Sequence, residues 1–237
     1  MERLDNIRFR HIIFSGKGGM VRSTIIALLP AVLALLSGCG TMTAVRPLRR
    51  GESAVAVSLG GPVAKVAGQD IPLPYIAARY RYGVSDRFGL SAGWHVTPVI
   101  LGIAAFDAGA NYGLVEQRGA IPAISAAGGI TGYLEAGGPS RVFPNLDLAL
   151  SWRYADRFAS YAGVQSMYQL SREPYVAFAP LVGQMVELGR FGLAAEVKWY
   201  APTEPTKPRQ VDYRIPISGK GALGFVLGAG WNWGGAR

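Results

Sequence analysis

Residues 146–158 read LDLALSWRYADRF, and this stretch decides the fold. Every second side chain from Leu146 to Tyr154 is large and apolar, whereas the residues between them are Asp, Ala, Ser and Arg. This period of two is typical of a β-strand with one apolar and one polar face, because successive side chains point to opposite sides. Ala155, Asp156 and Arg157 then form a predicted tight turn.

The same alternation recurs about every 15 to 20 residues, and no helical stripe follows residue 51. We predict ten strands, at 52–60, 74–83, 87–96, 103–115, 120–134, 143–154, 158–169, 175–187, 190–200 and 219–233. Tight turns at 85–87, 117–119, 155–157 and 189–190 alternate with longer loops at 61–73, 97–102, 135–142, 170–174 and 201–218. This arrangement predicts an all-β fold, an up-and-down antiparallel membrane β-barrel with both termini on the turn side.

Two segments fit the barrel pattern less well. Few large apolar residues occupy the expected outer face of 158–169, and Pro180 removes a backbone donor from 175–187. A barrel of eight strands with one irregular hairpin is therefore the alternative.

The polar face of the strands distinguishes a membrane barrel from a soluble one. A soluble barrel would present Lys, Glu and Thr to water, whereas here the polar face consists mainly of Gly, Ala, Ser and Asn. We place the apolar face against lipid and predict a filled or nearly filled lumen in which opposite charges pair. The predicted lumen network comprises Arg79, Arg81, His95, Asp107, Asp147, Arg153, Glu196 and Lys198.

A targeting segment precedes the strands. From Met20 an Arg, an apolar run and small residues follow in the order of a secretory signal, and the run is too short to span a bilayer as a helix. The sequence Leu36-Ser37-Gly38-Cys39 resembles the lipobox of bacterial lipoproteins and contains the only Cys. That resemblance implies that Cys39 is the first mature residue and carries acyl chains such as palmitate. Gly40 in place of Asp implies sorting to the outer membrane.

These features divide the chain into four parts. Residues 1–19 are a misassigned start or an N-terminal extension, 20–38 a lipoprotein signal peptide, 39–51 a lipidated tether and 52–237 the barrel. A phosphate-loop reading of residues 11–24 is disfavoured, because Val21 and Arg22 stand where deviant Walker-type ATPases have Gly and Lys.

The predicted turns share a motif. The segments 80–88 and 152–158 both place aromatic residues around an Asp-Arg pair, with a fainter echo in Gly189-Arg190-Phe191. They resemble the periplasmic turns of small outer-membrane barrels, in which Arg reaches lipid phosphates and the rings lie at headgroup level. The resemblance implies membrane lipid, the barrel assembly machinery and the lipoprotein sorting machinery as partners.

Catalytic and ligand-binding motifs are weak after residue 40. His95 is the only mature His, and its parity points it into the lumen, whereas a lipid deacylase would need it on the lipid-facing surface. We predict no cofactor and no catalytic residue. Although the net charge is +9, its basic residues do not cluster, which disfavours nucleic acid.

The loop at 201–216 carries Lys207, Arg209 and Arg214 among four Pro residues. A solvated surface loop and a contact with lipopolysaccharide phosphates both fit this composition.

The sequence thus predicts a lipid-anchored outer-membrane β-barrel of a Gram-negative bacterium, non-enzymatic, with a role in envelope structure or small-solute handling. The alternatives are a lipid-modifying outer-membrane enzyme and a lipid-tethered periplasmic carrier.

Overall fold

The computed structural model describes residues 42–66, 69–72, 74–100, 102–135, 137–138, 140–170, 174–205 and 217–235. Its strands are β1 (Glu52–Val66), β2 (Gln69–Pro72), β3 (Tyr75–Ser85), β4 (Phe88–His95), β5 (Ile103–Val115), β6 (Ala123–Glu135), β7 (Arg141–Ala155), β8 (Phe158–Gln169), β9 (Tyr175–Leu188), β10 (Phe191–Pro205) and β11 (Lys220–Gly234). One helical turn, α1 (Val96–Val99), joins β4 to β5.

Ten of these strands form a closed antiparallel barrel. Each pairs with its neighbour in chain order, and β11 closes the barrel on β1 from Glu52↔Gly234 to Pro62↔Gly224. The predicted fold class is confirmed, and the alternative of eight strands is wrong. The eleventh strand, β2, pairs only with the end of β1, from Val63↔Pro72 to Val66↔Gln69.

Two predicted loops contain strand. The loop predicted at 61–73 holds the end of β1 and all of β2, and β10 continues to Pro205 inside the loop predicted at 201–218. Pro62 is the last residue of β1 paired with β11, and since proline has no N–H to donate, the ladder ends there. The remaining part of β1 then pairs with β2 instead.

Pro180 marks a second end of a ladder. It pairs in regular register with Val164 of β8, but the pairing of β9 with β10 stops one residue later in the chain, at Leu181↔Lys198. On the other strand, Ala201 has a φ of 47°, and the register of β10 against β11 shifts between Tyr200 and Pro205. The proline is therefore accommodated where β10 bends away, without loss of a strand.

The three turns that carry the motif share a backbone hydrogen bond. In each of the three turns, the carbonyl of the arginine accepts a backbone hydrogen bond. The donor lies on the second strand that follows the turn in the chain, and the three arginines are Arg87, Arg157 and Arg190. The donors are Gly113, Glu187 and Asn232, at distances of 2.8, 2.7 and 2.8 Å respectively. These backbone bonds fasten each turn to the neighbouring hairpin.

The two faces of the wall differ as their alternation predicts. Leu148 is 46% exposed and its neighbour Ala149 3%, while Leu227 is 61% exposed and Val226 is fully buried. The outward apolar side chains form a belt around the barrel, and the inward set is small or polar. Among the described residues no helix has the length and apolar character needed to cross a membrane.

Candidate lumen site

The lumen contains a segment of the chain that is not part of the wall. Residues 42–50 precede β1. Arg49 and Arg50 are exposed at the turn end, and the residues before them run inside the barrel, where Thr43 and Val45 are buried. Arg49 lies beside Gly83 near the turn end, whereas Met42 lies beside Gly228, eight residues after β11 begins at Lys220. The segment therefore enters at the turn end and reaches the middle of the lumen. The part of the predicted tether that the structure describes is an interior element.

The wall holds this segment mainly by its main chain. The Thr43 N–H donates to Oε1 of Glu196 at 2.8 Å, and the Val45 carbonyl accepts from Oγ of Ser125 at 2.5 Å. The Met42 carbonyl accepts from Arg79 at 3.2 Å, and the Arg46 carbonyl accepts from Arg81. These bonds satisfy backbone groups that would otherwise be buried without partners.

One side chain anchors the segment near the turn end. Arg46 donates to Oγ of Ser151 at 2.7 Å, to the Ser151 carbonyl at 3.1 Å and to Oε1 of Gln117 at 2.8 Å. Burial, and then the nearby charge of Arg153, lower the pKa of Arg46 from its usual value. Arginine stays protonated despite such shifts, so these bonds are charge-assisted.

Glu196 and Lys198 form a buried ion pair on β10. Their side chains are fully enclosed, and Nζ of Lys198 lies 2.8 Å from Oε2 of Glu196. The other carboxylate oxygen accepts from the Tyr161 hydroxyl at 2.9 Å as well as from the inner segment, and Lys198 also donates to Gln165 at 2.7 Å. The pair is thus satisfied on both sides, as buried charges require.

A second cluster lies around Asp107. Its carboxylate is 3.0 Å from Arg79 and 2.9 Å from Nε2 of His95, and the other ring nitrogen, Nδ1, is 2.5 Å from the Tyr75 hydroxyl. Both nitrogens of this buried imidazole therefore lie within contact distance of a polar group.

The other predicted network residues take different partners. Arg81 binds a backbone carbonyl of the inner segment, and Asp147 accepts from Gln165 at 3.3 Å. Arg153 does not join the lumen cluster but pairs at 2.6 Å with Glu187 at the half-exposed turn end. At the same end the exposed Arg87 binds Glu116 at 2.8 Å, and this hydrogen bond raises the pKa of Arg87.

Between the clusters remains a cavity of about 60 Å³. Its lining includes Ala44 of the inner segment and the side chains of Arg79, Asp107, Asp147 and Gln165. At roughly 10–15 Å³ per water, it holds a few water molecules and no larger solute.

This arrangement neutralises charge and positions a peptide segment. The imidazole of His95 lies between Asp107 and Tyr75 and points into the lumen, away from the lipid-facing surface. Within the described ranges no three His, Cys, Asp or Glu side chains gather as metal ligands.

Several lumen residues were not predicted from the sequence. Arg46, Ser125, Ser151 and Tyr161 hold the inner segment or its partners, yet none was predicted as a site residue. A usable signal was the small size of the predicted lumen residues, since ten strands lined by Gly and Ala enclose space that their own side chains do not fill. Cys39, Lys207, Arg209 and Arg214 lie outside the described residues.

Comparisons with known proteins identify solved structures of bacterial outer-membrane proteins. No family model matches the chain, and no curated protein matches its sequence. The COG4313 outer membrane channel from Pseudomonas putida F1 is similar at 11% identity and a TM-score of 0.45, covering 81% of this chain and 99% of that chain. The translocator domain of the autotransporter NalP from Neisseria meningitidis has 11% identity and a TM-score of 0.40, covering 89% and 95%. The outer membrane protein OprG from Pseudomonas aeruginosa has 10% identity and a TM-score of 0.34, covering 80% and 99%. Similarity at this level concerns the barrel fold alone.

Proposed function

We propose that residues 39–237 form a non-enzymatic, lipid-anchored β-barrel of the outer membrane of a Gram-negative bacterium, with a role in envelope structure or small-solute handling. One observation carries the proposal: the closed barrel presents its large apolar side chains outward and its charged pairs inward. A soluble barrel would expose that apolar belt to water, whereas a bilayer covers it.

The anchor follows from the lipobox resemblance at Cys39. Acylation there would add a second attachment to the membrane when residues 42–50 lie outside the lumen, because Met42, three residues after Cys39, otherwise lies beside Gly228 at mid-lumen. Insertion would require the barrel assembly and lipoprotein sorting machineries. Lipopolysaccharide is a candidate contact for Lys207, Arg209 and Arg214, whose cationic groups suit its phosphates.

A non-enzymatic role is supported by the enclosure of His95. The ring is 1% exposed and lies in the lumen, so lipid outside the barrel does not reach it. A changed acylation pattern of the envelope lipids in a strain lacking the protein would favour the lipid-modifying alternative.

Cell fractionation of Cys39→Ser tests the proposal, with Thr41→Ser as the matched control. We expect labelled fatty acid on the parent and the control but not on Cys39→Ser. We also expect all three proteins to stay with the membranes until detergent is added, because the apolar belt does not depend on the anchor. Persistent labelling of Cys39→Ser would contradict acylation at this residue. Its release as a soluble protein would identify a tethered periplasmic carrier instead.

A further inference from the structure

The inner segment, residues 42–50, is not needed to close the barrel. The ladder between β1 and β11 begins at Glu52, after the segment has ended. Gly51 joins the two with a φ of 73°, a left-handed conformation that suits glycine and lets the chain turn from the lumen into the wall. The segment is thus attached at one end only among the described residues, and it lies inside a wall that is complete without it.

The wall is shaped to receive an extended main chain. A Cβ at Gly228 would overlap the sulfur of Met42, and a Cβ at Gly83 would overlap the Arg49 carbonyl. Both glycines therefore leave room where the segment passes. Between these two positions, Val45 of the segment packs against Tyr161 and Leu181 of the wall.

The hydrogen bonds to the segment are of two kinds. Glu196, Ser125, Arg79 and Arg81 bind backbone groups, which every polypeptide offers. Arg46 is the residue of the segment whose side chain forms hydrogen bonds with the wall. Its three hydrogen bonds fix the register of the segment in the lumen. The chemistry is that of a site for an extended peptide carrying one arginine.

We propose that the lumen is a binding site for an extended peptide, that residues 42–50 are its resident occupant, and that this segment gates the barrel. When it withdraws through the turn end, by which it entered, the lumen opens to small solutes. Withdrawal breaks no wall ladder, because the segment pairs with none of the strands in the described chain. This inference rests on the proposed outer-membrane barrel and assigns its solute-handling role to one segment.

Conductance of the full mature chain in planar lipid bilayers tests the gate. The parent is expected to stay closed, because its residual cavity admits only water. Arg46→Ala removes the charge-assisted anchor and is expected to raise the open fraction roughly 10- to 100-fold. The matched control is Arg118→Ala, which removes the same charge from an exposed position at the same end and is expected to stay closed.

Two further measurements bear on the gate. Gly228→Ala pushes against Met42 without changing any charge, and it is expected to open the barrel as Arg46→Ala does. A synthetic peptide of residues 42–50, added at the turn side, is expected to close the Arg46→Ala barrel again, whereas the same peptide with Ala in place of Arg46 should not.

The outcomes separate the gate from the barrel itself. Insertion is scored independently, by the shift in gel mobility that folded membrane barrels show before heating. If both variants insert and stay as closed as the parent, or if the parent conducts as they do, the gate is refuted while the membrane barrel stands. If the parent itself does not insert, the proposed outer-membrane barrel fails, and the gate fails with it.

Discussion

Replacing Leu148 by Arg is expected to destabilise the barrel strongly by placing a charge in the hydrocarbon layer. Leu148 is the eighth of the fifteen residues of β7 and is 46% exposed on the outer face. It lies six residues from Tyr154 at the turn end. At roughly 3.3 Å per residue and a tilt of about 40°, this places it about 15 Å from the aromatic girdle along the barrel axis.

The depth of position 148 in the bilayer determines the free-energy cost of placing an arginine there. Half of an apolar band about 25 Å tall is about 12 Å, so Leu148 lies near the midplane, where an arginine costs roughly 2–4 kcal/mol. The same substitution at Leu188, the last residue of β9, places the charge at the turn end, where the cost falls to about 0–1 kcal/mol. Ala149→Ser, on the inner face of β7, is expected to be nearly neutral, because the lumen offers polar partners.

The assay is denaturant unfolding of the refolded proteins in lipid vesicles, followed by tryptophan fluorescence. We expect Ala149→Ser to have the highest free energy of unfolding of the three variants, Leu188→Arg an intermediate one and Leu148→Arg the lowest. Equal effects of the two arginine substitutions would mean that depth in a bilayer is irrelevant to this surface. A parent-like Leu148→Arg with a strongly destabilised Ala149→Ser would show that the inner and outer faces are exchanged.

Two more predictions follow from the ion pair and from the topology. Glu196→Gln should lower the free energy of unfolding by about 3–5 kcal/mol, because it leaves Lys198 charged in an enclosed position, and Lys198→Met in the same chain should restore much of it. A double-mutant cycle with no coupling between the two would contradict the buried pair. Thr206→Cys, in the long loop between β10 and β11, should react with an impermeant thiol reagent on intact cells, whereas Ser85→Cys, exposed at the last residue of β3, should react only after the outer membrane is breached. Labelling in the opposite order would invert the topology.

The strands were predictable because their signal is local. The alternation from Leu146 to Tyr154 reflects which side chains meet lipid and which meet the lumen, and each residue reports its own face. The turn motif at Asp156-Arg157 was equally readable, since turn chemistry depends on a few adjacent residues. The strand ends moved at places such as Pro62, where a missing donor stops a ladder, and β2 was not predicted within the loop at 61–73.

The partners within the lumen were less predictable. The parity of Arg79, Asp107, Glu196 and Lys198 places them inside, but which carboxylate meets which cation depends on register and tilt across several strands. Arg153 shares their parity and yet pairs with Glu187 at the turn end. Parity distinguishes inside from outside, whereas depth along the barrel decides whether a charge meets the interior or the water at its mouth.

By itself, the amino-acid sequence determined the all-β class, the alternation of turns and loops, and the outward placement of residues such as Leu227. These depend on spacing along the chain, where the period of two links each position to its face. Only the tertiary structure decided that β11 closes on β1 and that residues 42–50 lie in the lumen. The contacts between Thr43 and Glu196 join positions 153 residues apart, and main-chain bonds of this kind leave no pattern in the sequence, because every residue but proline offers the same backbone groups.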